Sequence, residues 1–290
     1  MRPNDAAANA PEDGFAAARV PLPSAPFLSR GVALYGVAAP PDPGRLLPCR
    51  RPLPDPLRAV ICCAFPYYTG PMARRNVSRY AALPDYHTVV GALLEAICAD
   101  LRVLFPNERF CGYTDVSPLP EKQLAAQCGL GVLGRNTLLL TERYGSYVFL
   151  GCIACSVGFA PTGPGAAADC IGCGRCEAAC PGGALAAGRL DRSRCVSALT
   201  QKKGALTAAQ AALVRAGGSA WGCDRCQTVC PYNATPERTA IPAFLQDVQP
   251  VLTPENLDDL LQSRAFGYRG GEVLLRNLAL LSQRHTKEEP

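Results

Sequence analysis

Two runs of cysteine constrain this chain more than any other feature of its sequence. Cys170-Ile-Gly-Cys173-Gly-Arg-Cys176-Glu-Ala-Ala-Cys180-Pro181 follows C-x2-C-x2-C-x3-C-P without deviation, and Cys223-Asp-Arg-Cys226-Gln-Thr-Val-Cys230-Pro231 follows C-x2-C-x3-C-P, one cysteine short. The first spacing lets three thiolates wrap three corners of one iron–sulfur cubane while the fourth points to a neighbouring cluster. Cys195, fifteen residues after Cys180, is placed to supply the ligand missing from the second run. By this crossing rule one [4Fe–4S] cluster takes Cys170, Cys173, Cys176 and Cys230. The other takes Cys180, Cys195, Cys223 and Cys226. Zinc ribbons also use C-x2-C pairs, but the C-P endings and a crossed fourth cysteine have no role in them.

The chain has 16 cysteines. In a reducing compartment, clustered cysteines read as metal ligands before disulfides. The eight outside these two ligand sets, Cys49, Cys62, Cys63, Cys98, Cys111, Cys128, Cys152 and Cys155, read as small buried hydrophobes. Cys152 and Cys155 lie three apart on an expected strand and so face opposite sides, too far round to pinch one metal. Residues 1–18 lack the basic-then-apolar order of a signal peptide, and no apolar run reaches the ~18–20 residues a bilayer span needs. The expected location is therefore the cytoplasm, with no membrane partner. Hydrophobic residues at 48% against 18% charged exclude a disordered tail protein. The formal charge of +5 counts thiols as neutral; two clusters at about −2 each bring it to about +1. Net charge thus gives no general nucleic-acid affinity, and only the placement of arginines can.

The patterning predicts an α+β protein. Residues 1–56 form a Pro/Ala-rich segment with one strand-like stretch at 31–38. Residues 57–160 alternate as an α/β domain, with a strand over 59–65, a helix over 85–104 and a strand at 110–113. A helix over 121–128 and two strands joined near 142–146 complete it. Val90, Leu93, Leu94, Ile97 and Leu101 share one stripe of the long helix. Residues 161–240 hold the cysteine runs, with too little apolar surface to fold without metal. Residues 241–290 read as short helices.

Three stretches of the α/β domain carry chemistry. Gly129-Leu-Gly131-Val-Leu-Gly134 satisfies G-x-G-x-x-G, yet it follows a helix instead of a strand and has no acid about 20 residues on, which argues against a dinucleotide site. A glycine loop that lets backbone approach another large ligand is the expectation. Asp85-Tyr86-His87-Thr-Val-Val-Gly91 misses the cobalamin motif D-x-H-x-x-G by one residue, and a helix-start histidine is the plainer reading. Asp115, just past a strand with apolar neighbours, is expected to hold a raised pKa suited to proton donation.

Taken together, Ser78-Arg79-Tyr80-Ala81, Asp85-Tyr86-His87, Asp115-x-x-Pro118-x-x-Glu121, Gly129-x-Gly131-x-x-Gly134-x-Asn136-Thr137, Gly145-Ser146 and Phe149-Leu150-Gly151 resemble the epoxyqueuosine reductase family. So do Arg194-Cys195-x-Ser197-x-Leu199-Thr200 and Gly222-Cys223-Asp224-x-Cys226. The resemblance covers about residues 57–281. It implies a nitroreductase-like α/β domain holding base-off cobalamin beside a dicluster ferredoxin-like domain. The implied activity is conversion of epoxyqueuosine to queuosine in the tRNA anticodon loop, with electrons from an external low-potential donor. By the same matching Asp115 falls on the family's proton donor. Arg79, Tyr86, Asn136 and Thr137, with the loop Thr200, Gln201 and Lys202, fall in stretches that line the corrin or the tRNA.

Four departures bear on the substrate. The helical-repeat domain that often follows would begin near Leu274, where this chain is close to its end, so tRNA contacts are expected to be reduced. Val132 replaces a bulky aromatic, Arg135 a lysine and Cys152 an acid. The competing expectations are a corrinoid iron–sulfur reductase of another substrate and a plain dicluster electron carrier. Arg74, Arg75, Arg79, Arg192, Arg194, Lys202 and Lys203 are the residues expected to form a phosphate-binding rim.

Overall fold

A computed structural model of the chain describes residues 19–163 and 170–283. The segments 1–18 and 164–169 and the tail with His285 lie outside the described residues.

The core is a four-stranded antiparallel sheet in the order β1-β2-β6-β3, comprising β1 (Leu34–Ala38), β2 (Ala59–Pro66), β3 (Phe110–Tyr113) and β6 (Val148–Cys155). All eight residues of β2 are buried, because helices cover both faces of the sheet and the strand must be apolar throughout. On one face α2 (Tyr86–Leu104) lays Val90, Leu94, Ile97 and Leu101 against Ile61, Cys63, Phe65 and Ile153. On the other, α3 (Glu121–Gln127) sets Leu124 and Ala125 against Val60, Cys62, Cys152 and Ala154. The short helix α1 (Ala25–Leu28) and strand β1 precede residue 57, and β1 pairs along its length with β2, Leu34 opposite Ala64 and Ala38 opposite Val60.

Asp85 caps α2, its carboxylate accepting the His87 backbone N–H at 2.9 Å, which is the usual service of a short acidic side chain at that position. The expected helix thus starts one residue later, at Tyr86. The hairpin expected at 142–146 is built differently. β5 (Leu139–Leu140) turns back onto β4 (Val132–Leu133), Val132 opposite Leu140, and only an isolated Thr141–Gly145 bridge marks the turn into β6.

A Cβ on Gly131 would collide with the Leu140 carbonyl, and one on Gly134 would sit against Asn136 and Leu140. These two glycines permit the close approach of the two arms of the chain's own hairpin.

The cysteine-rich half contains α4 (Arg175–Ala178), the two-residue strands β7 (Leu185–Ala186) and β8 (Arg189–Leu190), α5 (Val196–Thr200), α6 (Ala208–Gly217) and α7 (Arg225–Thr228). α8 (Pro242–Leu245), α9 (Leu257–Ser263) and α10 (Gly271–Ser282) follow. A third cluster joins this half to the first: Val77, Ala81 and Ala82 pack with Trp221, Leu257, Phe266 and Leu274. Among the described residues no helix is long and apolar enough to cross a membrane.

Candidate active site

The structure groups the cysteines across the two sequence runs. Cys170, Cys173, Cys176 and Cys230 line one open cavity, and Arg135 and Asn136 from the β4–β5 turn line its wall. Burial raises the Cys230 thiol, and so do the neighbouring thiols of Cys176, Cys170 and Cys173. Cys223 and Cys226 form the second group with Cys195 and Cys180. Burial pushes these two thiols up to about 11 and about 12, and each also feels the sulfurs of Cys195 and Cys180 and the Asp224 carboxylate between them. The Ala184 backbone N–H donates to the Cys180 sulfur at 3.2 Å, a bond of the kind that tunes a cluster's potential. Among the described residues no three His, Cys, Asp or Glu side chains converge as a single ion requires; Cys170, Cys173, Cys176 and Cys230 instead stand around a cavity, as a cubane's corner ligands must.

Of the other eight cysteines, Cys62, Cys63, Cys98, Cys128, Cys152 and Cys155 are buried and Cys49 and Cys111 are half-buried. Cys152 packs beside Cys62 at 3.8 Å on the α3 face, while Cys155 belongs to the α2 face. Opposite faces were expected for two strand residues three apart.

A second constellation gathers where α2 begins and β3 ends. His87 Nδ1 lies 2.7 Å from Asp85 Oδ1 and its Nε2 lies 3.4 Å from Asp115 Oδ2. Hydrogen bonds to Asp115 and Asp85 push the His87 imidazole up to about 9, so it is cationic at neutral pH. The hydrogen bond to His87, helped by the imidazole's charge, in turn holds the Asp115 carboxyl below the usual carboxylate range. This corrects the expectation of a raised Asp115: its side chain is 60% exposed and salt-bridged, so the desolvation that would favour the neutral acid is outweighed. His87 is committed on both nitrogens to carboxylates, which accounts for it without a metal. Asp115 has φ +61° and Thr137 has φ +65°, left-handed conformations uncommon outside glycine and frequent at functional sites.

Tyr86 stacks on Phe149 at 4.3 Å and 8°, and the His87 ring stacks beside it at 4.0 Å. Arg79 sends its guanidinium over the Tyr68 and Tyr147 rings and donates to the Gly70 carbonyl at 2.8 Å. Thr200 is fully buried; its hydroxyl donates to the Ser197 carbonyl and accepts the Gly222 N–H. Within that loop Gln201 and Lys202 are the members that reach the surface, and Tyr268 donates to Gln201 at 3.1 Å. An aromatic path connects the two sets, since Tyr86 meets Tyr80, Trp221 donates to the Tyr80 hydroxyl, and Trp221 meets Tyr268. Of the expected phosphate rim, Arg74, Arg192, Arg194, Lys202 and Lys203 are exposed. Arg75 and Arg79 turn inward instead.

Sequence reasoning named Asp224 only as part of a motif, yet it joins the two halves. It is 4% exposed, lies between Cys223 and Cys226, and accepts from the Arg75 guanidinium, the Arg79 backbone N–H at 2.8 Å and Gln227 Nε2 at 3.3 Å. An acid inside a C-x2-C pair, flanked by ligands that must be buried, was the available signal. Asp224→Ala leaves Arg75 without its carboxylate and the Arg79 N–H unmet. A loss of about 2–4 kcal/mol is expected, readable as a lowered denaturation midpoint of the anaerobic holoprotein; an unchanged midpoint would show that the seam contributes nothing to stability.

Both halves match families of known proteins. Residues 51–116 match the family described as "Epoxyqueuosine reductase QueG, DUF1730", and residues 169–233 match the "4Fe-4S double cluster binding domain". An epoxyqueuosine reductase of Gloeobacter violaceus is 33% identical over 230 residues, covering 76% of this chain and 72% of that protein. Other relatives of the same name are longer, and the chain spans 55% of one and 49% of another. The solved structure of an epoxyqueuosine reductase with a tRNA-Tyr epoxyqueuosine-modified stem loop matches with TM-score 0.75 at 26% identity, over 88% of this chain and 78% of that one. A reductive dehalogenase whose structure suggests a mechanism for B12-dependent dehalogenation shares the fold, with TM-score 0.51 at 13% identity, over 91% of this chain and 35% of that one.

Proposed function

The chain belongs to the epoxyqueuosine reductase family, and on that premise we propose that it reduces epoxyqueuosine in tRNA to queuosine, using two [4Fe–4S] clusters and cobalamin. The observation that carries this reading is the shared wall: the cavity framed by Cys170, Cys173, Cys176 and Cys230 is lined by Arg135 and Asn136 of the α/β half. With a cluster bound there, electrons leaving the cysteine-rich half would enter the half that holds Asp115, His87 and Tyr86.

The residues present fit the cofactors. Eight thiolates in two crossed groups are the donor set of two cubanes. For cobalamin, the fit lies in orphaned polar atoms: Ser78 Oγ, Arg79 Nε and Thr114 Oγ1 are buried without a hydrogen-bond partner, on the two stretches that the family resemblance assigns to the corrin and its acid. Arg79, Tyr86, Asn136, Thr137, Thr200, Gln201 and Lys202 are the residues proposed to hold it, Thr200 through its place in the loop since its hydroxyl is already engaged. With both nitrogens of His87 occupied by carboxylates, a base-off cobalamin without a protein imidazole is the form this site suits, in a nitroreductase-like α/β setting. Bound there, the clusters would supply single electrons at low potential and cobalamin the metal centre that accepts them.

The chain's own residues handle the proton. Asp115 is the proposed donor to the departing epoxide oxygen, with His87 beside it as the cation that keeps the pair protonated at neutral pH. Exposed Arg74, Arg192, Arg194, Lys202 and Lys203 are the proposed contacts to tRNA phosphates. Anaerobic protein loaded with clusters and cobalamin, given tRNA bearing epoxyqueuosine and a low-potential reductant, is expected to yield queuosine by mass. No product from fully loaded protein would overturn the tRNA reading.

A further inference from the structure

Opening an epoxide to an alkene breaks two C–O bonds, makes one C=C bond and releases the oxygen as water. It consumes two electrons, delivered one at a time by an external low-potential donor, and two protons. The Asp115–His87 pair holds one proton at neutral pH. We propose that Glu121 holds the other, as a proton reserve that refills Asp115 between the two transfers. This rests on the functional reading above.

Glu121 is the first residue of α3, six residues after Asp115, and its carboxyl feels the charge of Asp115. Its Oε1 is buried and has no hydrogen-bond partner in the protein, an arrangement that costs free energy unless the oxygen serves a ligand or a transferable proton. The ionisable groups around it are Asp115 on the loop, Tyr86 of α2 and Cys152 of β6, with the Ser117 hydroxyl at hand. His87 and Asp85 stand one step further, beyond Asp115 and Tyr86. Lys122, next in α3, is turned away to the Thr137 carbonyl at 2.8 Å. No cation therefore offsets the burial, and burial followed by the charge of Asp115 pushes Glu121 up to about 8.

The sequence of transfers balances. Asp115 passes the pair's proton to the oxygen as the first C–O bond breaks. Glu121 then protonates Asp115, which passes the second proton as the oxygen leaves as water. Glu121 ends as a carboxylate, and solvent restores both protons. Because it acts through Asp115, Glu121 is a positioning residue and not a catalytic one.

The test compares wild type with Glu121→Gln and Glu121→Asp. In the protein without substrate, Glu121 has a folded pKa raised above its unfolded value, so the stability tied to its neutral form is full below about pH 4.5 and fades as pH rises through about 8. Glu121→Gln should match the wild-type thermal midpoint near pH 4 and exceed it by a growing margin as pH rises toward 9. In single-turnover queuosine formation it should be at least tenfold slower at neutral pH and lose the alkaline limb near pH 8, leaving the later fall near 9 that His87 sets. Glu121→Asp, still a proton carrier, should recover part of the rate. A Gln variant with wild-type rate and pH profile, or with a wild-type pH dependence of stability, overturns the proposal alone. A loaded wild type that makes no queuosine overturns the functional reading, and the relay with it, whatever the stability curves show.

Discussion

Cys230→Ser is expected to lower bound iron from roughly eight to roughly four per chain, since each cubane carries four. The loss should fall on the cluster whose other ligands come from the first run. Cys230 closes the cavity lined by Cys170, Cys173 and Cys176, although in sequence it belongs with Cys223 and Cys226. Double variants make the crossing measurable. Cys230→Ser combined with Cys170→Ala should lose no more iron than either change alone, because both strike one cluster; Cys230→Ser combined with Cys223→Ser should lose nearly all of it. Such non-additivity is the mark of residues acting as one unit. If the first double variant emptied both sites, the ligands would follow the order of the sequence and the crossed assignment would fall. Because binding of a cluster is coupled to folding of the segment that ligates it, the variants should also unfold at lower temperature.

Features that depend on local periodicity are legible in the amino-acid sequence itself. The unbroken apolar run of β2 reports a strand covered on both faces, and the stripe from Val90 to Leu101 reports the buried side of α2. The spacing of the cysteine runs carries their grouping, because a cubane admits few ways of being wrapped. What stays hidden depends on partners far away in the chain. Nothing near Leu139 says that it pairs backward with Leu133 and not forward into β6. Arg75 and Arg79 read as surface cations until Asp224, roughly 150 residues later, draws the Arg75 guanidinium inward and the Tyr68 and Tyr147 rings take that of Arg79. The same blindness governs Asp115: a carboxyl after a strand with apolar neighbours suggests desolvation, whereas the spatial approach of His87 from α2 reverses the sign. Electrostatic environment is a tertiary property, and the residue type alone leaves it open.

Asp115→Asn should leave iron content and the cobalamin spectrum as in wild type while lowering single-turnover queuosine formation by about 10²–10⁴-fold, the range a positioned proton donor contributes. Asparagine suits the comparison because it tolerates the left-handed backbone that residue 115 adopts at φ +61° almost as well as aspartate does. It also keeps a polar group beside His87, so a fall in rate cannot be charged to a collapsed loop. Losing the carboxylate removes the first of the two partners that hold the His87 imidazole cationic, and the imidazole's pKa should drop from about 9 toward its ordinary value. The residual activity of the variant should therefore fall off at lower pH than that of the wild type, the direction expected when a proton once shared between carboxylate and imidazole is left to the imidazole alone. Turnover equal to wild type with an unmoved pH limb would remove Asp115 from the proton path and leave the pair's geometry as a structural contact only.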